Sequence, residues 1–150
     1  MKTVDSCAQW TATLLILTVF LSLTSCIKRK CKDGDSNGGI IVNYFNDYYE
    51  KISSDGVAIS DSASFKQIFP NRPLPIDFNN YSLLCIYTDG GGCHVSVDRE
   101  VTKLDSEKQY HYTIHIYACG MCKKLWISPN VVSVPKLPTG WTATFEVKRN

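Results

Sequence analysis

Two cysteines with two residues between them can serve redox chemistry, metal binding or a structural bridge. The stretch Tyr117–Lys124, YACGMCKK, holds such a pair at Cys119 and Cys122. A CxxC redox centre works when its first cysteine opens a helix, whose N-terminus lowers the thiol pKa. Here Lys123-Lys124-Leu125-Trp126-Ile127 follows and has the composition of a strand, and no βαβ pattern surrounds it. A structural zinc site needs four ligands, normally two such pairs. The chain has one CxxC, and Cys93 and His94 are neighbours that a strand would point to opposite faces. His111 and His115, four residues apart on a strand, stand roughly 13 Å from each other. His94 and His115 become near-diagonal neighbours on one outer face, a placement that an exposed polar surface explains equally well. The preferred reading is a disulfide among Cys93, Cys119 and Cys122, with Cys93–Cys119, Cys93–Cys122 and Cys119–Cys122 all open. Cys85, between Leu83 and Tyr87, has the setting of a buried free thiol. An extracytoplasmic redox or metal-binding protein using Cys93, Cys119 and Cys122 is the alternative.

Other catalytic signals are weak. Asp89-Gly90-Gly91-Gly92 is followed by neither GK[ST] nor a helix, so it is a hairpin tip and not a phosphate loop. No nucleophile elbow and no HExxH occur. No catalytic residue, metal ligand or cofactor is assigned on these grounds. The net charge of +2 gives no case for nucleic acid. Tyr112, Tyr117, Trp126 and Trp141 are candidate surface anchors, since Trp and Tyr are enriched at binding hot spots. They would serve a protein partner or, as a further alternative, a glycan.

The N-terminus places the chain outside the cytoplasm. Lys2 precedes Trp10–Leu23, WTATLLILTVFLSL, an apolar run short of the roughly 20 residues that a spanning helix needs. That pattern is a secretory signal. The run ends Leu23-Thr24-Ser25-Cys26, which resembles the lipobox of bacterial lipoproteins at all four positions. The resemblance implies a signal peptide over 1–25, cleavage before Cys26, and diacylglycerol on the Cys26 thiol. It implies anchoring to the cell envelope, most naturally the outer membrane. Residues 26–39 are then a lipidated flexible tether spanning roughly 20 Å. Its Lys28, Arg29, Lys30 and Lys32 lie where basic residues favour anionic headgroups.

Residues 40–150 form the single globular domain. Ile41, Tyr44, Phe45, Tyr48, Tyr49 and Ile52 recur at helical spacing, so residues 40–52 are expected as a helix, although their types also favour strands. Ser53–Gly56 is a turn, Val57–Ile59 a short strand, and Ser60 or Asp61 caps a helix that runs to about Phe69 before Pro70. Six strand candidates follow: Tyr81–Thr88, Cys93–Thr102, Gln109–Ala118, Leu125–Ile127, Val131–Val134 and Trp141–Lys148. The expected fold is α+β and β-rich: an antiparallel sandwich or partial barrel with one or two short helices near the start of the mature domain. Pairing Thr102 with Gln109 sets Val95 against Ile116, Val97 against Ile114 and Val101 against Tyr110. That register puts Cys93 opposite Ala118 and the CGMC segment on the following turn.

The order IDFNNYSLLCIYTDGGGCHVSV, YHYTIHIYACGMC, WISPNVVSVPKLP resembles the C-terminal domain of PrcB-like lipoproteins, subunits of bacterial protease complexes. The matching features are the helix over Ser62–Phe69, the entry Ile76-Asp77-Phe78, the Gly90-Gly91-Gly92 hairpin, and Val134-Pro135-Lys136 after a late strand. Small envelope lipoproteins of Gram-negative bacteria with a GGC and CGxC pair are also similar. The resemblance implies a non-catalytic β domain that associates with a protein partner, and it carries no catalytic residue. The cysteines at two adjacent hairpins depart from the broader pattern.

Overall fold

The computed structural model describes residues 31–48 and 52–150. The signal peptide expected over 1–25 and the lipid site expected at Cys26 lie outside the described residues. Among the described residues, eight strands and one helix follow in order: β1 (Ser36–Gly39), β2 (Asn43–Phe45), β3 (Val57–Ile59), α1 (Ser62–Ile68), β4 (Tyr81–Gly91), β5 (His94–Leu104), β6 (Gln109–Cys119), β7 (Leu125–Pro135) and β8 (Thr142–Arg149). They form two four-stranded sheets, β1-β5-β6-β8 and β2-β7-β4-β3. The β-rich sandwich expected from strand spacing is the fold that the chain adopts. It is not wholly antiparallel, because β1 pairs with β5 and β6 with β8 in parallel. Parallel neighbours need a crossover, and the passage from β6 through β7 in the opposite sheet to β8 supplies one.

Three layers result. Val97, Val101, Tyr110, Tyr112, Ile114 and Ile116 from one sheet meet Leu84, Ile86, Val132 and Val134 from the other. The outer face of the second sheet carries Leu83, Cys85 and Val131, covered by Phe65 and Phe69 with Tyr48 and Ile52. The middle of β4 is therefore buried on both sides, which accounts for its unbroken apolar run Leu83–Ile86. Asp61 caps α1 as expected: its Oδ1 accepts from the Ser64 amide at 2.8 Å. The amide and hydroxyl of Ser64 hold its carboxyl below the usual range.

Four expectations are corrected. Residues 40–52 do not start as a helix: Asn43–Phe45 form β2 against Val131–Ser133. Tyr44 packs into the sandwich and the adjacent Phe45 into the α1 layer. A segment lying between two apolar layers shows apolar residues at both parities, which imitates helical spacing. Residues 31–39 are part of the compact unit that runs from Cys31 to Asn150, not tether. Ser36–Gly39 pair with Asp98–Val101. At Gly39 (φ 70°) a Cβ would sit 2.0 Å from the Val101 carbonyl oxygen. That glycine turns the chain from one sheet to the other.

The β5–β6 hairpin closes at Leu104 and Gln109, so Val95 faces Ala118, Val97 faces Ile116 and Val101 faces Tyr112. The expected register is off by two residues. A slip by an even number leaves every side chain on its face, so alternation alone cannot detect it. The turn decides, with Lys108 in a left-handed conformation (φ 52°). Lastly, Leu125–Ile127 and Val131–Val134 are one strand running through Pro129. Proline is tolerated where a strand has an open edge. At Pro129, β7 has β4 on one side, while β2 pairs only with Val131–Ser133.

Candidate functional site: a disulfide-pinned tip and its strap

Two turns meet at one end of the sandwich, the β4–β5 turn at Gly92-Cys93 and the β6–β7 turn at Gly120–Lys124. The Cys93 amide donates to the Cys119 carbonyl at 2.9 Å and the Gly92 amide to that of Lys124 at 3.2 Å. Cys93 is bonded to Cys122, with 4.8 Å between their Cα atoms. Cys119 is bonded to Cys31, with Cα atoms 5.9 Å apart. A disulfide joining the two hairpins is thus present, and the CGMC segment lies on a turn. The expected set of three cysteines was incomplete, because Cys119 takes a partner from the segment read as tether. Cys119 lies opposite His94 in the β5–β6 ladder, on the polar face of the sheet. Cys93 precedes β5, and its Sγ lies under Gly120, where a Cβ would meet it at 2.5 Å. The usable sequence signal was the count: setting Cys85 aside as buried leaves an even four, Cys31 included. Cys85 is buried and free, and burial pushes its thiol up.

From Cys31 the strap runs across the end of the first sheet. Lys32 pairs with Asp98, and its ammonium lies 4.4 Å from the Tyr117 ring centre. Partial burial raises the Asp98 carboxyl, but hydrogen bonds from Lys32 and Ser36 outweigh it and hold the group below its usual range. Asp35 accepts from the Val97 amide at 2.9 Å and from Nη1 of Arg99 at 3.0 Å. Arg99 is 1% exposed. Its Nε donates to Asn130 at 2.8 Å and its Nη2 to the Tyr44 hydroxyl at 3.1 Å. Asn130 in turn donates to Thr88 at 2.8 Å and to the Ser128 carbonyl at 3.2 Å. The sequence reading missed this cluster. Its signal was a charged residue in the core-facing series Val95, Val97, Arg99, Val101.

The remaining candidates distribute as follows. Tyr112 is fully buried, so it is no surface anchor, and burial raises its phenol while Arg99 opposes that shift. Trp126 and Trp141 are half-buried against the core, with Trp141 edge-on to Tyr110 at 5.8 Å. His94 stands opposite Cys119 and His115 opposite Asp98, four residues along β5, so the two histidines do not pair. His94 instead lies 3.7 Å from Asp33, and His115 stacks on Tyr117. The tip exposes Met121, Leu125 and Ile127 beside Lys123 and Lys124. Lys123, Lys124 and Leu125 share an open cleft of about 340 Å³ with Asp89, Gly90 and Gly91.

Sulfurs held in disulfides supply no thiolate, and among the described residues no three His, Cys, Asp or Glu side chains converge as metal ligands. The arrangement can fix the strap to the tip and present a mixed apolar and basic surface there. No family model, curated protein or solved structure matches the chain.

Proposed function

We propose that this chain is an exported, lipid-anchored protein of the bacterial envelope whose domain acts by binding a protein partner, without catalysis of its own. One observation carries the reading: both sulfurs of the CGMC segment are bonded to separate partners, Cys31 and Cys93. Disulfides persist in oxidising compartments outside the cytoplasm, which agrees with a signal peptide over 1–25 that ends Leu23-Thr24-Ser25 before Cys26. A CxxC oxidoreductase needs its two sulfurs free to bond to each other, and here each one closes a different loop. The likeness to PrcB-like protease subunits favours a partner of the same kind, a protein complex in the envelope.

Growth with labelled palmitate tests the anchor. The wild type should incorporate label and Cys26→Ala should not; equal labelling of the two removes the lipoprotein reading. Crosslinking in intact cells followed by capture tests the partner. A single stoichiometric protein is expected, and its absence counts against a binding module.

A further inference from the structure

We infer that the tip bearing Met121, Lys123, Lys124 and Leu125 is a second, non-covalent membrane contact that docks on an anionic bilayer surface. The inference rests on lipid attachment at Cys26 and concerns what the domain then does.

Three observations converge. The first is reach. The Cys31–Cys119 disulfide fixes the start of the described chain at the tip. Cys26 precedes Cys31 by five residues in the sequence, and a fully extended chain covers at most roughly 3.3–3.6 Å per residue. An acyl anchor on Cys26 is therefore leashed within about 18 Å of Cys31, whatever path the intervening residues take. The disulfide decides which end of the sandwich faces the bilayer.

The second is exposed apolar surface. The large apolar side chains exposed among the described residues are Val42, Leu74, Met121, Leu125 and Ile127. Three of these five belong to the tip, and Met121 is as exposed as a residue in an open chain, at 102%. Leu125 and Ile127 share one face of β7 at a stretch where β2 no longer flanks it.

The third is charge. Lys28, Arg29 and Lys30 lead up to the pin in sequence, and Lys123 and Lys124 stand in the turn between the exposed apolar residues. Of the acidic residues close by, Asp89 faces Arg149 at 3.4 Å, and Asp33 lies 3.7 Å from the His94 ring. Apolar side chains set among lysines match the boundary between acyl chains and anionic headgroups. A protein partner of neutral or basic surface offers no such match.

The test uses the mature lipidated protein, checked by intact mass, in detergent micelles, in phosphatidylcholine vesicles and in vesicles rich in phosphatidylglycerol. Amide hydrogen exchange is followed over residues 119–127, with β4 as the internal control of folding. The tip should exchange at least several-fold more slowly in anionic vesicles than in the other two. That protection should vanish in the double variant Lys123→Glu/Lys124→Glu and weaken in Met121→Asp, with β4 unchanged. Lipidated protein whose tip exchanges equally in all three media overturns the inference while leaving the anchor intact. Protection that survives charge reversal overturns it too, as does protection in micelles that grows with protein concentration, which marks a second copy as the occupant. An intact mass without diacylglycerol on Cys26 overturns the anchor and the inference together.

Discussion

The Nε of Arg99 donates to Oδ1 of Asn130 at 2.8 Å, joining the two sheets through a guanidinium that is 1% exposed. A buried charge is tolerated only when its donors are satisfied. Asn130, Asp35 and Tyr44 each accept from a different nitrogen of Arg99. The cluster therefore holds the strap, β2 and β7 to β5 at one point.

Removing one partner leaves the charge in place. Asn130→Ala takes an acceptor from Arg99 and leaves Thr88 without its donor. Hydrogen bonds to charged groups contribute about 1.5–3 kcal/mol, and an orphaned buried donor adds its own penalty. Denaturant titration with the disulfides intact should show Asn130→Ala about 3 kcal/mol less stable than wild type. A loss below about 0.5 kcal/mol, the range of ordinary surface substitutions, means that the guanidinium finds water or another acceptor there.

The disulfides make an ordered prediction. Non-reducing peptide mapping should return Cys31–Cys119 and Cys93–Cys122, with Cys85 alkylated only after unfolding. The Cys31–Cys119 bridge spans 88 residues and the Cys93–Cys122 bridge 29. If constraint of the unfolded chain dominates, the longer loop contributes more, each bridge being worth about 2–4 kcal/mol. Replacing Cys31 and Cys119 together by Ser should therefore lower the unfolding midpoint further than replacing Cys93 and Cys122. The reverse order would point to native-state contacts at the tip as the source of the stability.

What could be read in the sequence follows from what repeats locally. Val95, Val97 and Val101 alternate, and so do Tyr110, Tyr112, Ile114 and Ile116, so the faces of β5 and β6 were legible. Their register was not, because a slip by two conserves every face. Asp61 and Pro70 bracket α1 in plain view. β2 was misjudged because Tyr44 and Phe45 serve different layers, information that exists only once both layers are assembled. The candidate site was legible in half. Cys93, Cys119 and Cys122 do meet at one end, but the assignment of 26–39 as tether concealed Cys31 and Asp35. Polar, glycine-rich composition describes a flexible linker and an edge strand with a strap equally well. Only the pairing of Ser36–Gly39 with Asp98–Val101 separates them.

Acid should loosen the strap before it unfolds the core. The Asp98 carboxyl sits below its usual range in the folded chain, held there by Lys32 and Ser36. A group depressed on folding stabilises at pH above its unfolded value, about 3.9 for Asp. That contribution disappears as pH falls through the folded value. Asp98→Asn removes it at every pH. The wild type should exceed the variant in stability at neutral pH, and the two should converge as acidification passes below the ordinary aspartate range. Parallel curves throughout would show that Asp98 is not held below its unfolded value. Because Lys32 and Asp98 are partly exposed, added salt should narrow the neutral-pH gap.

Gly120 sets whether the tip can close at all. Its φ is 81°, a region that L side chains rarely enter, and a Cβ there would lie 2.5 Å from Sγ and 2.7 Å from Cβ of Cys93. The clash falls on a short, bonded side chain that cannot swing aside without breaking its bridge to Cys122. Gly120→Ala should thus refold under oxidising conditions with Cys93 and Cys122 free, read as two additional reactive thiols, or joined to other cysteines, read by non-reducing peptide mapping. Gly140 is the control, since it has nearly the same φ, 79°, with nothing within 4 Å of an added Cβ. Gly140→Ala should lose about 1–2 kcal/mol from backbone strain alone while keeping both disulfides. If Gly120→Ala also keeps both, the turn has room to relax, and the close approach of Gly120 to Cys93 is not what directs the pairing.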